Sequence, residues 1–231
     1  MRQPRVIYED KDFLALAKPD GLLVHSSTHA RGPTVVDWLI EHYPEVRGVG
    51  DNPEARPGIV HRLDRETSGV MLIARNQKYF DYLKSLFKEH AVVKTYLAVV
   101  LGEMVERRGT VDVPISLKPG SVRHTVHMGK MTKTAITKYR VLRSWKNAQE
   151  ESFTLLEVQP QTGRTHQIRL HLASLEHPVL GDRLYGKRAA HFASRLMLHA
   201  LSVEFNDSQG KRIRLEVGMP PDFENALRAL E

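Results

Sequence analysis

The chain has 231 residues and is 41% hydrophobic, which is enough to bury a substantial core as one large domain or two small ones. Its 34 Lys and Arg outnumber its 27 Asp and Glu, and the net charge of +7 favours a polyanionic partner such as RNA or DNA, although a solvated basic surface has the same charge. The absence of cysteine excludes disulfides, a thiol nucleophile and a thiolate metal site.

Targeting and membrane signals are also missing from the sequence. The apolar runs are too short to cross a bilayer, and the first residues lack the apolar centre of a signal peptide. We therefore expect a soluble, cytoplasmic protein, with a monomer as the default state. No internal repeat or shift in composition marks a boundary, so residues 1–231 are predicted to form a single domain with two lobes.

The first part of the chain alternates short strands with two helices. Residues 6–10 and 13–19 are predicted strands joined by an acidic turn, and residues 70–74 are a fully apolar strand that is buried on both faces. The spacing of apolar residues predicts helices over 34–43 and 76–90, the second with Asn76 as its N-cap.

The second part of the chain is richer in strands. The segment 92–102 is a predicted strand with Lys94 and Tyr96 on one face. Residues 103–160 indicate an antiparallel meander whose strands, among them 122–128, are separated by basic turns such as 129–133. A helix over 165–176, with Thr165 as N-cap and Arg169 at the edge of its apolar stripe, precedes a final hairpin and a short closing helix. The predicted fold class is α+β.

A polar loop, HRLDRETSG at 61–69, runs directly into the buried strand at 70–74. Charged groups held against buried structure are costly unless they are paired or used, which makes Asp64 a candidate functional carboxylate. The alternative is that Asp64 caps a turn by accepting a hydrogen bond from the amide of Glu66 or Thr67, which is the commonest role of a loop aspartate.

This loop resembles the signature HRLD, two variable residues and Thr-Ser-Gly of the RluA family of pseudouridine synthases. Four further segments match that family in order: KPDGLLVH at 18–25, KTYLAVVLG at 94–102, TGRTHQIRLHLASLEHPVLGDRLYG at 162–186 and RLMLHALSVEF at 195–205. The resemblance covers nearly the whole chain. It implies a pseudouridine synthase catalytic domain, with a bent, mostly antiparallel mixed sheet in two lobes, flanking helices and a central cleft.

The resemblance also implies three catalytic residues. Asp64 matches the catalytic aspartate of the HRLD motif. The isomerisation of uridine needs such a carboxylate beside the anomeric carbon. Arg169 matches the basic partner that keeps this aspartate ionised, although alone it reads as a surface helix arginine. Tyr96 matches the tyrosine that stacks on uracil and that can take the C5 proton. The reaction is redox-neutral, so no cofactor is expected.

Further residues are predicted to contact the RNA substrate. Arg62 resembles the arginine that enters the space left by a flipped base. His61, Arg65 and Lys18 are expected to make backbone or loop-positioning contacts, and Arg164 is a candidate contact in the segment 162–186. His25 is as compatible with a local turn as with a contact.

Other kinds of site fit the sequence less well. His166 and His171 are five residues apart and so do not share a helix face as zinc ligands would, and no metal is expected. Ser68 has no GxSxG context, which argues against a serine hydrolase. An inactive RNA-binding relative and a nucleoside hydrolase or glycosylase remain as alternative functions.

The resemblance has limits for the choice of substrate. Many relatives carry a small N-terminal RNA-binding domain, whereas this chain starts almost at the first predicted strand. Selection of the target is therefore expected to come from the catalytic domain or from the fold of the RNA. Short relatives imply a structured region of tRNA or rRNA as the substrate, without identifying the uridine.

Overall fold

The computed structural model describes residues 3–26, 32–118, 124–127 and 129–230. The chain divides into two compact units. The first comprises Met1–Val93 and Ala200–Gly218, and the second comprises Lys94–His199 and Met219–Glu231. In the described ranges, four α-helices and mostly antiparallel strand pairs confirm the predicted α+β class. Among the described residues, no helix has the length and apolar character that a membrane span requires.

The first unit is built on an antiparallel sheet with two helices. Its strands are β1 (Arg5–Glu9), β2 (Phe13–Lys18), β3 (Ser68–Ala74), the greater part of β11 (Leu198–Asn206) and β12 (Arg212–Glu216). The order is β1-β2-β3-β11, and β12 pairs with β11. All seven residues of β3 are buried, which confirms the prediction of a strand covered on both faces.

Helices α1 (Val35–His42) and α2 (Gln77–Lys88) of this unit follow their sequence signals. Thr34 caps α1 in a reciprocal arrangement with Asp37. Asn76 caps α2 by accepting a hydrogen bond from the amide of Tyr79, as predicted. The buried face of α2 packs against the core that surrounds β3, so the end of the polar loop is anchored on rigid structure.

The second unit contains the strand-rich middle of the chain. Strands β4 (Val93–Leu101), β5 (Arg108–Asp112), β9 (Ile136–Lys146) and β10 (Ser152–Pro160) lie in the order β4-β10-β9-β5. A small sheet has the order β7-β6-β8, from β6 (Ile115–Leu117), β7 (His124–Thr125) and β8 (Lys130–Lys133). Helices α3 (Gln167–Ser174) and α4 (Pro221–Arg228) complete the unit.

Two local predictions are wrong. Thr165 is not the N-cap of α3, because the cap is His166 in a left-handed conformation with φ 55° and without a side-chain capping bond. Residues 129–133 were expected to form a basic turn, but Lys130–Lys133 is the edge strand β8, whose fully exposed residues show no alternation of burial. A predicted strand at 122–128 lies partly outside the described residues.

Candidate active site

The polar loop that carries Asp64 is fixed at both ends by glycines. Gly58 has φ +69°. Its amide donates to the carbonyl oxygen of Val49, and its carbonyl oxygen accepts from the amide of Ala74, each over 2.9 Å. Gly69 has φ +125°, and a Cβ atom at this position would lie 2.1 Å from the carbonyl oxygen of Ala200. Both positions therefore exclude other residues, and the loop enters and leaves the sheet at fixed points.

The loop makes a tight turn at Asp64 itself. The amide of Thr67 donates to the carbonyl oxygen of Asp64 over 3.1 Å, so a main-chain bond closes the turn. Leu63 is buried beneath the turn, while Asp64 is partly exposed. The backbone thus supplies one closing bond of the turn and holds Asp64 in a fixed position, and a capping role of its carboxylate stays a prediction.

Lys18 holds this turn from the neighbouring strand. Its side chain is 1% exposed, and its ammonium donates to the carbonyl oxygens of Pro19, Leu22 and Arg65 at 2.8, 2.8 and 3.1 Å. A buried ammonium needs such partners, and these three connect the segment 19–22 to the loop. Lys18 is therefore a positioning residue in the structure, and direct contact with RNA stays a prediction.

His61 fixes the start of the loop. Its Nε2 accepts a hydrogen bond of 2.9 Å from the amide of Leu72, and its ring stacks on Phe87 with centroids 4.5 Å apart. The accepting Nε2 places the proton of the neutral ring on Nδ1. His61 thus joins the loop to β3 and α2, and its predicted contact with substrate is not tested by this geometry.

Arginines make the outer surface of the loop basic. Arg62 and Arg65 are exposed, and the Nε of Arg65 donates to the carbonyl oxygen of Gly21 over 3.0 Å. Burial lowers the pKa of His25, and the charges of Arg62 and Arg56 lower it further. The exposed Arg62 and Arg65 of the first unit thus form a cationic surface that suits a phosphate backbone, whereas the lowered pKa favours a neutral His25.

Tyr96 lies in β4 of the second unit, opposite Val158 of β10. It is partly buried and packs against the core that contains Ile168 and Leu172 of α3. Tyr96 and α3 are therefore on the same side of this sheet. A partly exposed ring on a rigid strand is suited to stacking on a base.

Arg169 is the largest fully buried side chain of the molecule's described part, with 1% exposure. Its Nε and Nη2 donate to the two carboxylate oxygens of Asp182, both over 2.8 Å, and its guanidinium lies 5.4 Å from the centroid of the Tyr185 ring. Burial would raise the pKa of Asp182, but the bonds from Arg169 and from the amides of Tyr185 and Leu184 lower it overall. The ion pair therefore keeps Asp182 ionised and fixes the orientation of the guanidinium.

The segment before α3 is organised by Gln167. Its side-chain oxygen accepts from the Thr162 hydroxyl and the Arg164 amide, and its nitrogen donates to the Ile136 carbonyl and the Thr137 hydroxyl, at 2.7 to 3.0 Å. The Nε of Arg164 donates to the carbonyl oxygen of Thr134 over 3.0 Å. These bonds explain how the segment TGRTHQ turns into the helix without a side-chain cap.

The structure places Lys18, His61, Asp64 and Arg65 in the first unit, where Lys18 bonds to Arg65, and it places Tyr96 and Arg169 in the second. Sequence reasoning missed Asp182, although a buried arginine requires a carboxylate and Asp182 stands in the quoted segment GDRLYG. In the described ranges no cluster of three or more His, Asp or Glu is arranged to hold a metal ion.

An α+β fold with antiparallel sheets, an HRLD loop on a buried strand and a partly exposed tyrosine on β4 are the features expected of a pseudouridine synthase. Residues 12–174 match the family model described as RNA pseudouridylate synthase. The chain belongs to this family, and within it to the RluA type, as its motifs indicated. It is therefore an enzyme, an isomerase that converts uridine in RNA to pseudouridine.

Individual relatives agree with this assignment. An uncharacterized RNA pseudouridine synthase of Aquifex aeolicus is 38% identical over 98% of this chain and 72% of the relative. Ribosomal large subunit pseudouridine synthase D of Zymomonas mobilis is 34% identical over 97% of this chain and 72% of its own length. The structure of human RNA Pseudouridylate Synthase Domain Containing 1 has a TM-score of 0.77 and 26% identity, covering 97% of this chain and 87% of that protein.

Proposed function

We propose that the enzyme isomerises a uridine in a structured region of ribosomal RNA or transfer RNA, with Asp64 as the catalytic carboxylate. The observation that carries the proposal is the rigid support of Asp64. Its turn is closed by a main-chain hydrogen bond and held by the buried ammonium of Lys18, while Asp64 as a residue is partly exposed. A carboxylate needs this fixed and accessible position to act at the anomeric carbon.

Tyr96 and Arg169 complete the proposed catalytic set. Tyr96 presents a partly exposed ring that is suited to stack on the uracil, and its hydroxyl is suited to take the C5 proton. Arg169 supplies a positive charge that the ion pair with Asp182 orients. Arg62 is the proposed residue that fills the space of the flipped uridine.

Ribosomal RNA is the favoured target. Relatives from Zymomonas mobilis and Haemophilus ducreyi, 34% and 32% identical, are named ribosomal large subunit pseudouridine synthase D. The basic composition, with a net charge of +7, suits a structured and highly charged RNA. A cytoplasmic enzyme acting on large-subunit RNA is the simplest proposal that includes these observations.

The test is pseudouridine mapping on unmodified ribosomal and transfer RNA incubated with the parent enzyme and with Asp64→Asn. Asparagine preserves the shape of the side chain but removes the nucleophilic charge, so we expect loss of at least 1,000-fold in turnover, on the order expected for a covalent catalyst. Glu66→Gln is the matched control, because Glu66 occupies a variable position of the same loop and is exposed. It should leave turnover within about twofold.

The possible results separate the competing functions. New pseudouridine at one position with the parent and its absence with Asp64→Asn support the proposal and identify the uridine. Release of free uracil instead of pseudouridine would make the protein a glycosylase. RNA binding without any modification would favour an inactive relative, and an Asp64→Asn variant as active as the parent would exclude Asp64 as the catalytic carboxylate.

A further inference from the structure

A second cation lies beside Tyr96 and has no role so far. Lys94 and Tyr96 are two residues apart in β4, so their side chains are on the same face of the strand, about 7 Å apart along it. Lys94 stands close to the start of the strand and is half-buried. Lys94 and Tyr96 are therefore both partly buried side chains of the same strand face.

The ammonium of Lys94 forms no hydrogen bond or ion pair with the residues that the structure describes. Other buried cations differ in this respect. Lys18 donates to three carbonyl oxygens, and Arg169 and Arg195 pair with Asp182 and Asp222. Removing a charge from water without a partner is unfavourable for folding, so Lys94 carries a cost that the fold itself does not offset.

The electrostatic state of Lys94 agrees with this cost. Burial is the sole cause that lowers the pKa of Lys94, to about 8. Tyr139 on β9 shares this face of the sheet, and His171 on α3 bonds to Thr137 of the same face, but neither residue contributes to the shift. A proton at Lys94 is therefore readily stabilised by an anion that arrives from outside.

We propose that Lys94 binds a backbone phosphate of the RNA substrate, next to the uridine that stacks on Tyr96. This inference rests on the proposed function of Tyr96. The uracil base is neutral and fits the aromatic ring, whereas phosphate is the anion that every nucleotide brings with it. The bound phosphate supplies the partner that the ammonium of Lys94 lacks among the described residues. RNA that places a phosphate at this position is therefore bound more tightly than RNA that does not.

The experiment uses the full chain with Asp64→Asn as a non-converting background, and it measures RNA affinity as a function of salt. Adding Lys94→Met should weaken binding by about 10-fold, as expected for loss of a charge-assisted hydrogen bond. The slope of log affinity against log salt should decrease by about one, because one phosphate contact is lost. Lys146→Gln is the control, since Lys146 is a surface lysine that is already paired with Glu150.

Thermal unfolding without RNA distinguishes this role from a structural one. The folded pKa near 8 is below the usual 10.5 of lysine, so the unfolded chain binds more protons between these values and the parent gains stability as pH rises through that window. Lys94→Met removes the buried charge. It should be at least as stable as the parent at pH 7, and its advantage should disappear toward pH 10.5.

Each outcome decides the inference. Unchanged affinity and an unchanged salt slope in Lys94→Met would overturn the inference. A melting temperature of Lys94→Met below that of the parent at pH 7, together with an equal loss of binding in Lys94→Arg, which keeps the charge, would also overturn it. Restored binding in Lys94→Arg would support it. If the parent with an intact Asp64 modifies no RNA, the proposed function itself fails, and that result is independent of the comparison between the Lys94 variants.

Discussion

The loop around Asp64 and the start of α3 around Arg169 both hold a charged side chain in a fixed position, but they do so in different ways. At the loop, the backbone is held rigidly by Lys18 and His61, and the acid is left partly exposed. At α3, the side chain of the candidate residue Arg169 is itself buried and paired with Asp182. A carboxylate that reacts must be reachable, whereas a cation that only orients charge can be enclosed and fixed.

Removal of the partner of Arg169 should have the largest effect on stability. Asp182→Ala leaves a buried guanidinium without its carboxylate, and we expect a loss of about 3–5 kcal/mol in the free energy of unfolding, measured by urea denaturation. The control Glu150→Ala breaks an exposed ion pair and should cause no measurable change. Equal effects of the two variants would show that burial does not distinguish these pairs.

Release of the loop from Lys18 should have a smaller effect on stability. Lys18→Met leaves three carbonyl oxygens without their donor, and we expect a loss of about 2–4 kcal/mol with a fall in pseudouridine formation. The exposed Lys11 provides the control Lys11→Met. If turnover falls while the melting temperature stays at the parent value, Lys18 contacts RNA in addition to positioning the loop.

The contact of His61 with β3 should contribute least. His61→Phe preserves stacking on Phe87 but leaves the buried amide of Leu72 without an acceptor, which should cost about 1–2 kcal/mol. Phe87→Leu removes the stacking and keeps the hydrogen bond, so the pair of variants separates the two contacts in thermal unfolding. A raised KM with unchanged stability in His61→Phe would instead establish the predicted contact with RNA.

Much of the local structure was predictable because it depends on neighbouring residues. The alternating and continuous apolar patterns predicted β2, β3, β4 and α2, and Asn76 marked the beginning of α2. The beginning of α3 was not predictable in this way. His166 adopts a left-handed conformation, and the next residue, Gln167, bonds to Ile136 and Thr137 of a distant strand, which no local rule reports.

The sequence by itself determined the family, the α+β class and the identity of Asp64, Tyr96 and Arg169 as candidates, since these depend on motifs and on periodicity. Only the tertiary structure decided which of these charges have partners. Lys18 donates hydrogen bonds to three carbonyl oxygens, and Arg169 forms an ion pair with Asp182. Lys94 is half-buried and has neither a carbonyl acceptor nor a carboxylate partner among the described residues. Pairing depends on residues that are distant in the chain, and the free energy of a charge is set by the surroundings that folding gives it.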